Sequence, residues 1–94
     1  MAEQTSIVRN NAAQNRFEIE ERGLTAFATY RREDNTVTIP HVEAPQELRG
    51  KGTAGRLMEG IAVLAREGGL KIVPRCPYAV AWFRRHPEDS DVLA

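Results

Sequence analysis

Along residues 16–21, RFEIEE, apolar and polar positions alternate: Phe17 and Ile19 fall on one side, Arg16, Glu18 and Glu20 on the other. A period of two predicts a half-buried strand. Gly23 ends it, and LTAFATYRR (24–32) begins a second strand rich in β-branched and aromatic residues. Glu33, Asp34 and Asn35 supply turn chemistry, and TVTIPHVEA (36–44) follows as a third strand. Pro40 has no N–H for a strand ladder, so this strand is expected to bulge, bend or lose a neighbour there. Two short loops joining three strands predict an antiparallel meander, with residues 6–9 as a further edge strand.

From Thr53 the period changes. Ala54, Leu57, Met58, Ile61, Ala62, Leu64 and Ala65 recur at spacings of three and four, with Arg56, Glu59, Arg66 and Glu67 mostly off that stripe. Gly68 and Gly69 stop the predicted helix. LKIVP (70–74) is a short apolar run that fits a strand. Strand, helix and strand in succession require a crossover, hence one parallel pair within an otherwise antiparallel sheet. PYAVAWFRRH (77–86) begins with proline, a favoured first helical residue, and places Ala79, Trp82, Phe83 and His86 at helical spacing. PEDSDVLA reads as an acidic, loosely held tail. The fold class is α+β: a mixed, mainly antiparallel sheet, a central helix and a C-terminal helix.

Ninety-four residues are enough for one domain, here taken as 1–94, and leave no room for a second core. At 41% hydrophobic and 28% charged residues the chain is too apolar to be disordered. Its 13 basic and 13 acidic residues cancel, which argues against nucleic acid as a partner. No apolar run is long enough to span a bilayer, and MAEQTSIVRNN lacks the build of a signal peptide. The single cysteine, Cys76, forms no internal disulfide, and one Cys with two His speaks against a metal site. A cytoplasmic protein is expected.

The stretch 49–56, RGKGTAGR, sets three glycines beside Arg49, Lys51 and Arg56 at the predicted helix start. A helix N-terminus has unpaired N–H groups and partial positive charge. Glycines let an anion approach the main chain, so Arg49, Gly50, Lys51, Gly52, Thr53 and Ala54 form a candidate phosphate cradle, with Gly55 and Arg56 adjoining. The alternative is a permissive glycine-rich turn. A P-loop is excluded, because no glycine stands five residues before Gly50. Gly50, Gly52 and Gly55 satisfy the dinucleotide fingerprint literally, but a meander precedes them and the acid expected about 20 residues on is missing.

Arg49-x-x-Gly52-x-Ala54 resembles the R/Q-x-x-G-x-G/A signature of the GCN5-related N-acetyltransferases. PHVEAPQELRGKGTAGRLMEG followed by KIVPRCPYAVAWFRRHPE is similar to the very small single-domain members, which carry a Cys-Pro-Tyr motif. The resemblance covers roughly residues 16–86. It implies acetyl-CoA or coenzyme A as co-substrate, its pyrophosphate in the 49–56 loop, and its pantetheine alongside the main chain of Val42, Glu43 and Ala44. Two positions depart from the family pattern. Gln46 stands where many members have proline. Aligning Ala79 with the family's Asn-x-x-Ala-x-x-aromatic-Tyr puts Cys76 at the asparagine and Phe83, which has no proton to give, at the tyrosine.

Amine acetylation needs a base for the amine, donors for the developing oxyanion and a proton for the leaving thiolate. Cys76, just before a helix start, is a candidate to accept the acetyl group or protonate the thiolate; its alternative is a small core residue. His41 is a candidate base and Glu43, on the same face, its orienter; the alternative is an exposed pair. Tyr78 is a candidate wall or proton donor, or a core residue. His86 reads as a helix-end cap. Two functions follow: an N-acetyltransferase acting on an unidentified amine, or a module that holds coenzyme A with little turnover. A third, an unrelated phosphate-binding domain, requires the 70–86 match to be coincidence. The partners expected are acetyl-CoA and an amine acceptor, in a monomer or weak homodimer.

Overall fold

The computed structural model describes residues 7–94. Five strands form one sheet in the order β1-β2-β3-β4-β5: β1 Val8–Asn11, β2 Arg16–Glu21, β3 Leu24–Glu33, β4 Thr36–Glu43 and β5 Lys71–Pro74. The first four pair antiparallel, and β5 joins β4 in parallel after the crossover through α1, Thr53–Gly68. A second helix, α2, spans Pro77–Arg85, and a 3-10 segment covers Pro87–Val92. This is the mixed α+β architecture expected. The edge strand lies at 8–11 rather than 6–9; residue 6 and the rest of the N-terminal stretch lie outside the described residues.

The helices and one face of the sheet share a core. Phe17, Ile19, Ala26, Ala28, Val37 and Ile39 meet Leu57, Met58, Ile61 and Ala65 of α1, with Trp82 and Phe83 of α2 closing one end. Gly60 lets α1 and β1 approach closely: a Cβ there would lie 2.2 Å from Val8 Cγ2.

Pro40 both bulges its strand and marks the loss of a neighbour. Between the pairs Thr29↔His41 and Arg31↔Thr38, β4 contains one more residue than β3, so Ile39 and Pro40 face Tyr30 alone. The insertion changes which side chains point inward. Val37 and Ile39 are buried before it, whereas Val42 and Ala44 pack on the core after it. His41 and Glu43 therefore project from the opposite face. At the same place β5 leaves the sheet, and the amides of Arg75 and Cys76 both donate to the Ile39 carbonyl, at 2.9 and 3.2 Å. From Pro40 onward β4 has β3 on one side and no strand on the other.

Two sequence readings are corrected. The acidic tail is not loosely held: Val92 is buried, Leu93 bridges Ile72 on the outer edge of β5, and the Ala94 amide donates to the Ile72 carbonyl. Arg66 of α1 donates to Asp89 and Asp91, drawing the acids onto the helix. Glu18, which a half-buried strand would leave on its solvent side, is not solvated either. Although it points away from Phe17 and Ile19, it is 3% exposed and accepts from Arg9, Asn11 and Arg16. These donors hold its carboxyl at about 2, against an ordinary 4.5, with the Asn11 and Arg16 hydrogen bonds the main cause.

Candidate active site

The loop from Ala44 to Gly52 leaves β4 through a short 3-10 turn, Gln46–Leu48, whose Leu48 is buried. Gly50 and Gly52 have φ of +78° and +81°, a region that side-chain-bearing residues seldom occupy. Gly52 caps α1 without a side-chain hydrogen bond, and no acid stands in the first turn of α1. Arg56 N–H makes the first bond of the helix, to the Gly52 carbonyl. The amides of Gly50, Gly52, Thr53, Ala54 and Gly55 have no acceptor among the described residues. Five free donors at and just before the start of a 16-residue helix are an arrangement that can take an anion.

The side chains of this stretch divide into two sets. Arg49 and Lys51 are exposed and have no ion-pair partner among the described residues. Thr53 and Arg56 instead turn to Glu21 at the end of β2. Thr53 Oγ1 donates to Glu21 Oε1 at 2.6 Å, and Arg56 donates from Nε to Oε2 at 2.6 Å and from Nη2 to Oε1 at 2.8 Å. Arg56 Nη2 also donates to the Lys51 carbonyl at 2.7 Å. The Glu21 carboxylate holds Arg56 still further toward its charged form.

A cavity of about 600 Å³ runs from this loop to the free side of β4. It is lined by His41, Val42, Glu43 and Ala44, by Leu48, Arg49 and Gly50, by Gly52 to Gly55, and by Tyr78. His41 Nε2 and Glu43 Oε1 form a hydrogen bond of 2.8 Å, both side chains about half exposed. Tyr78 stands in the first turn of α2. Its hydroxyl comes within 3.8 Å of where a Gly55 Cβ would lie, beside the amide cluster. Burial pushes that hydroxyl above the ordinary phenol range, partly offset by Arg85.

Most of the predicted site residues thus meet in one place. Three do not line the cavity: Lys51, Arg56, which turns to Glu21, and Cys76, which is buried at the N-terminus of α2 and makes no capping hydrogen bond with its side chain. Phe83 lies in the core, edge-on to Trp82 at 5.1 Å. His86 does end α2, stacked on Trp82 at 3.9 Å with Nδ1 against the Trp82 carbonyl at 2.8 Å. Sequence reading missed Glu21, whose role depends on residues more than 30 positions away. A larger groove, about 1430 Å³, lies between β1, β2 and α1. It holds the exposed apolar side chains Ile7 and Val63 and shares only Arg56 with the predicted site residues.

Comparison with known proteins bears on the family and the fold. A match to the GCN5-related N-acetyl-transferase family spans residues 16–92, from the start of β2 to the end of the C-terminal 3-10 segment. A GCN5-like candidate N-acetyltransferase from Staphylococcus aureus, solved in solution by NMR, superposes with a TM-score of 0.71 at 27% identity. The superposition covers 98% of this chain and 91% of that one. A search of curated proteins returns no match. With the family match extending over four of the five strands and both helices, the chain belongs to the GCN5-related N-acetyltransferase family.

Proposed function

We propose that the protein transfers an acetyl group from acetyl-CoA to an amine, within a complex that holds both substrates at the free side of β4. The observation that carries the reading is the cluster of five unpaired amides at the start of α1, opening into a cavity that follows the unpartnered half of β4. The amides receive the coenzyme pyrophosphate, with Arg49 and Lys51 adding charge at its rim. The pantetheine runs beside Val42, Glu43 and Ala44 as a missing strand would, exchanging main-chain hydrogen bonds. The thioester then lies where β4 and β5 part.

His41, oriented by Glu43, takes a proton from the acceptor ammonium, and the freed amine attacks the thioester carbon. The C–S bond breaks as the amide C–N bond forms, and the departing thiolate takes a proton. Tyr78 is our choice of donor, supported by its place in the cavity wall and by a hydroxyl that stays protonated at neutral pH. Cys76 then supports the start of α2 from behind, rather than forming an acetyl-cysteine. Holding coenzyme A without turnover is the competing function, and the buried Phe83 at the position of the usual acid favours it.

Two measurements test these readings. Ligand at 100 times its dissociation constant adds about 2.7 kcal/mol to stability, so the melting temperature should rise by about ten degrees or more with coenzyme A or acetyl-CoA. Gly52→Glu, which forces a negative side chain onto a left-handed residue whose Cβ would lie 2.8 Å from Arg56 Nη1, should abolish the rise while the variant still melts cooperatively. A wild-type protein that shows no rise at saturating ligand ends the coenzyme reading. For the chemistry, Tyr78→Phe should lower transfer to a screened amine by about a hundredfold, with coenzyme affinity retained. Cys76→Ala should reduce it far less. The reverse ranking returns the proton to Cys76, and absence of turnover with every amine supports the binding module.

A further inference from the structure

Glu21 lies outside the cavity and on a different element from the coenzyme loop, yet its carboxylate takes three hydrogen bonds from the first turn of α1, directly after that loop. Thr53, which supplies one of them, is 1% exposed, and the Glu21 side chain is 12% exposed. The Arg56 side chain is 44% exposed, but its paired hydrogen bonds to both Glu21 oxygens, with the buried Thr53 hydroxyl on the same carboxylate, tie the end of β2 to the helix start.

Its consequence follows from peptide geometry. The Lys51 carbonyl and the Gly52 N–H belong to one planar trans unit, so they point in opposite directions. Arg56 Nη2 grips that carbonyl at 2.7 Å while its other contacts hold it to Glu21. Fixing the oxygen on the Glu21 side aims the Gly52 N–H away from Glu21. Thr53 is pinned by the same carboxylate through its hydroxyl. The chain from Glu21 through Arg56 to the Lys51 carbonyl therefore sets the direction of donors that Glu21 itself never approaches.

We propose that Glu21 is a positioning residue for coenzyme binding: by holding Thr53 and Arg56 it aims the Gly52 and helix-start amides, and Arg56 serves as a strut rather than a phosphate ligand. The inference rests on the coenzyme reading above. It explains why a cationic side chain in the loop is given to an acid on the sheet while Arg49 and Lys51 are left exposed. Donors aligned before the ligand arrives add affinity because their ordering is not a cost of binding.

Glu21→Ala, Glu21→Gln, Arg56→Ala and the double variant Glu21→Ala/Arg56→Ala are titrated with coenzyme A and with pantetheine, which lacks the pyrophosphate. In parallel, 15N relaxation of the residue 50–55 amides is recorded without ligand. Glu21→Ala should weaken coenzyme A by about tenfold or more, the size expected for charge-assisted hydrogen bonds, and leave pantetheine unchanged. Glu21→Gln should fall between. The double variant should bind no worse than either single one, since both remove the same strut. The Gly52 amide should become more mobile in every variant. Unchanged coenzyme affinity, equal loss of coenzyme A and pantetheine, additive single effects, or an unaltered Gly52 amide would each overturn the assignment. A wild-type protein that binds no coenzyme A removes the underlying reading instead, whatever the relaxation data show for Glu21.

Discussion

At the scale of single residues, the acids carry information that their positions conceal. Glu18 and Glu20 stand two apart on the same side of β2, yet one is buried under Arg9, Asn11 and Arg16 and the other is exposed. Because the folded-state carboxyl of Glu18 is depressed to about 2 from 4.5, its contribution to stability is full above pH 4.5 and is lost as the pH falls toward 2. Glu18→Gln should therefore flatten the loss of melting temperature between those two pH values. At neutral pH it should cost about 2 kcal/mol, the scale of hydrogen bonds to a charged group. Urea denaturation across that pH range checks both; identical slopes in variant and wild type would mean that the cluster stores no pH-dependent stability.

What could be read in the sequence at this scale was the chemistry of local neighbours. Gly50 and Gly52 announce themselves by type and spacing, and His41 and Glu43 by alternation, and the structure brings all four to one cavity. Glu21 and Glu18 could not be singled out, since an isolated acid on a strand looks the same whether its partner is water or an arginine elsewhere in the chain. Cys76 attracted attention because its type is reactive; its distance from the cavity depends on where β5 ends and α2 begins. That is a tertiary property.

At the scale of elements, periodicity located all five strands and both helices to within two residues. The miss was the C-terminal segment, where a run of acids hid one apolar anchor. Val92 is 2% exposed, and its neighbours bond to the edge of β5. Composition alone could not reveal this, because the compensating charge is Arg66 on α1. Val92→Ala should destabilise the fold by about 2 kcal/mol, as truncation of a buried aliphatic side chain does. A tail that merely trailed in solvent would tolerate the change without effect in chemical denaturation.

At the scale of the whole molecule, the site exists because two strands that run together stop doing so. β4 is shared: its first half completes a five-stranded sheet, and its second half is left with one free side for a ligand. On the function proposed above, the coenzyme acts as a structural component as well as a substrate, and the thermal shift measures that share directly. No helix among the described residues is long and apolar enough to cross a membrane.

The extra residue at Ile39 and Pro40 shows that the site is encoded in length as well as in chemistry. Counting along β4, the inward positions are odd before the insertion and even after it. Removing one residue there would leave every side chain of the site chemically intact and exchange their addresses: His41 and Glu43 would turn toward the core, and Val42 and Ala44 toward solvent. Substitution at these positions adjusts the site by degrees, whereas a single deletion acts as a parity error, inverting all that follows until the loop absorbs it. For anyone redesigning this protein, the spacing between Ile39 and His41 is therefore a constraint of a different kind from the identities around it, one that no choice of amino acid can satisfy.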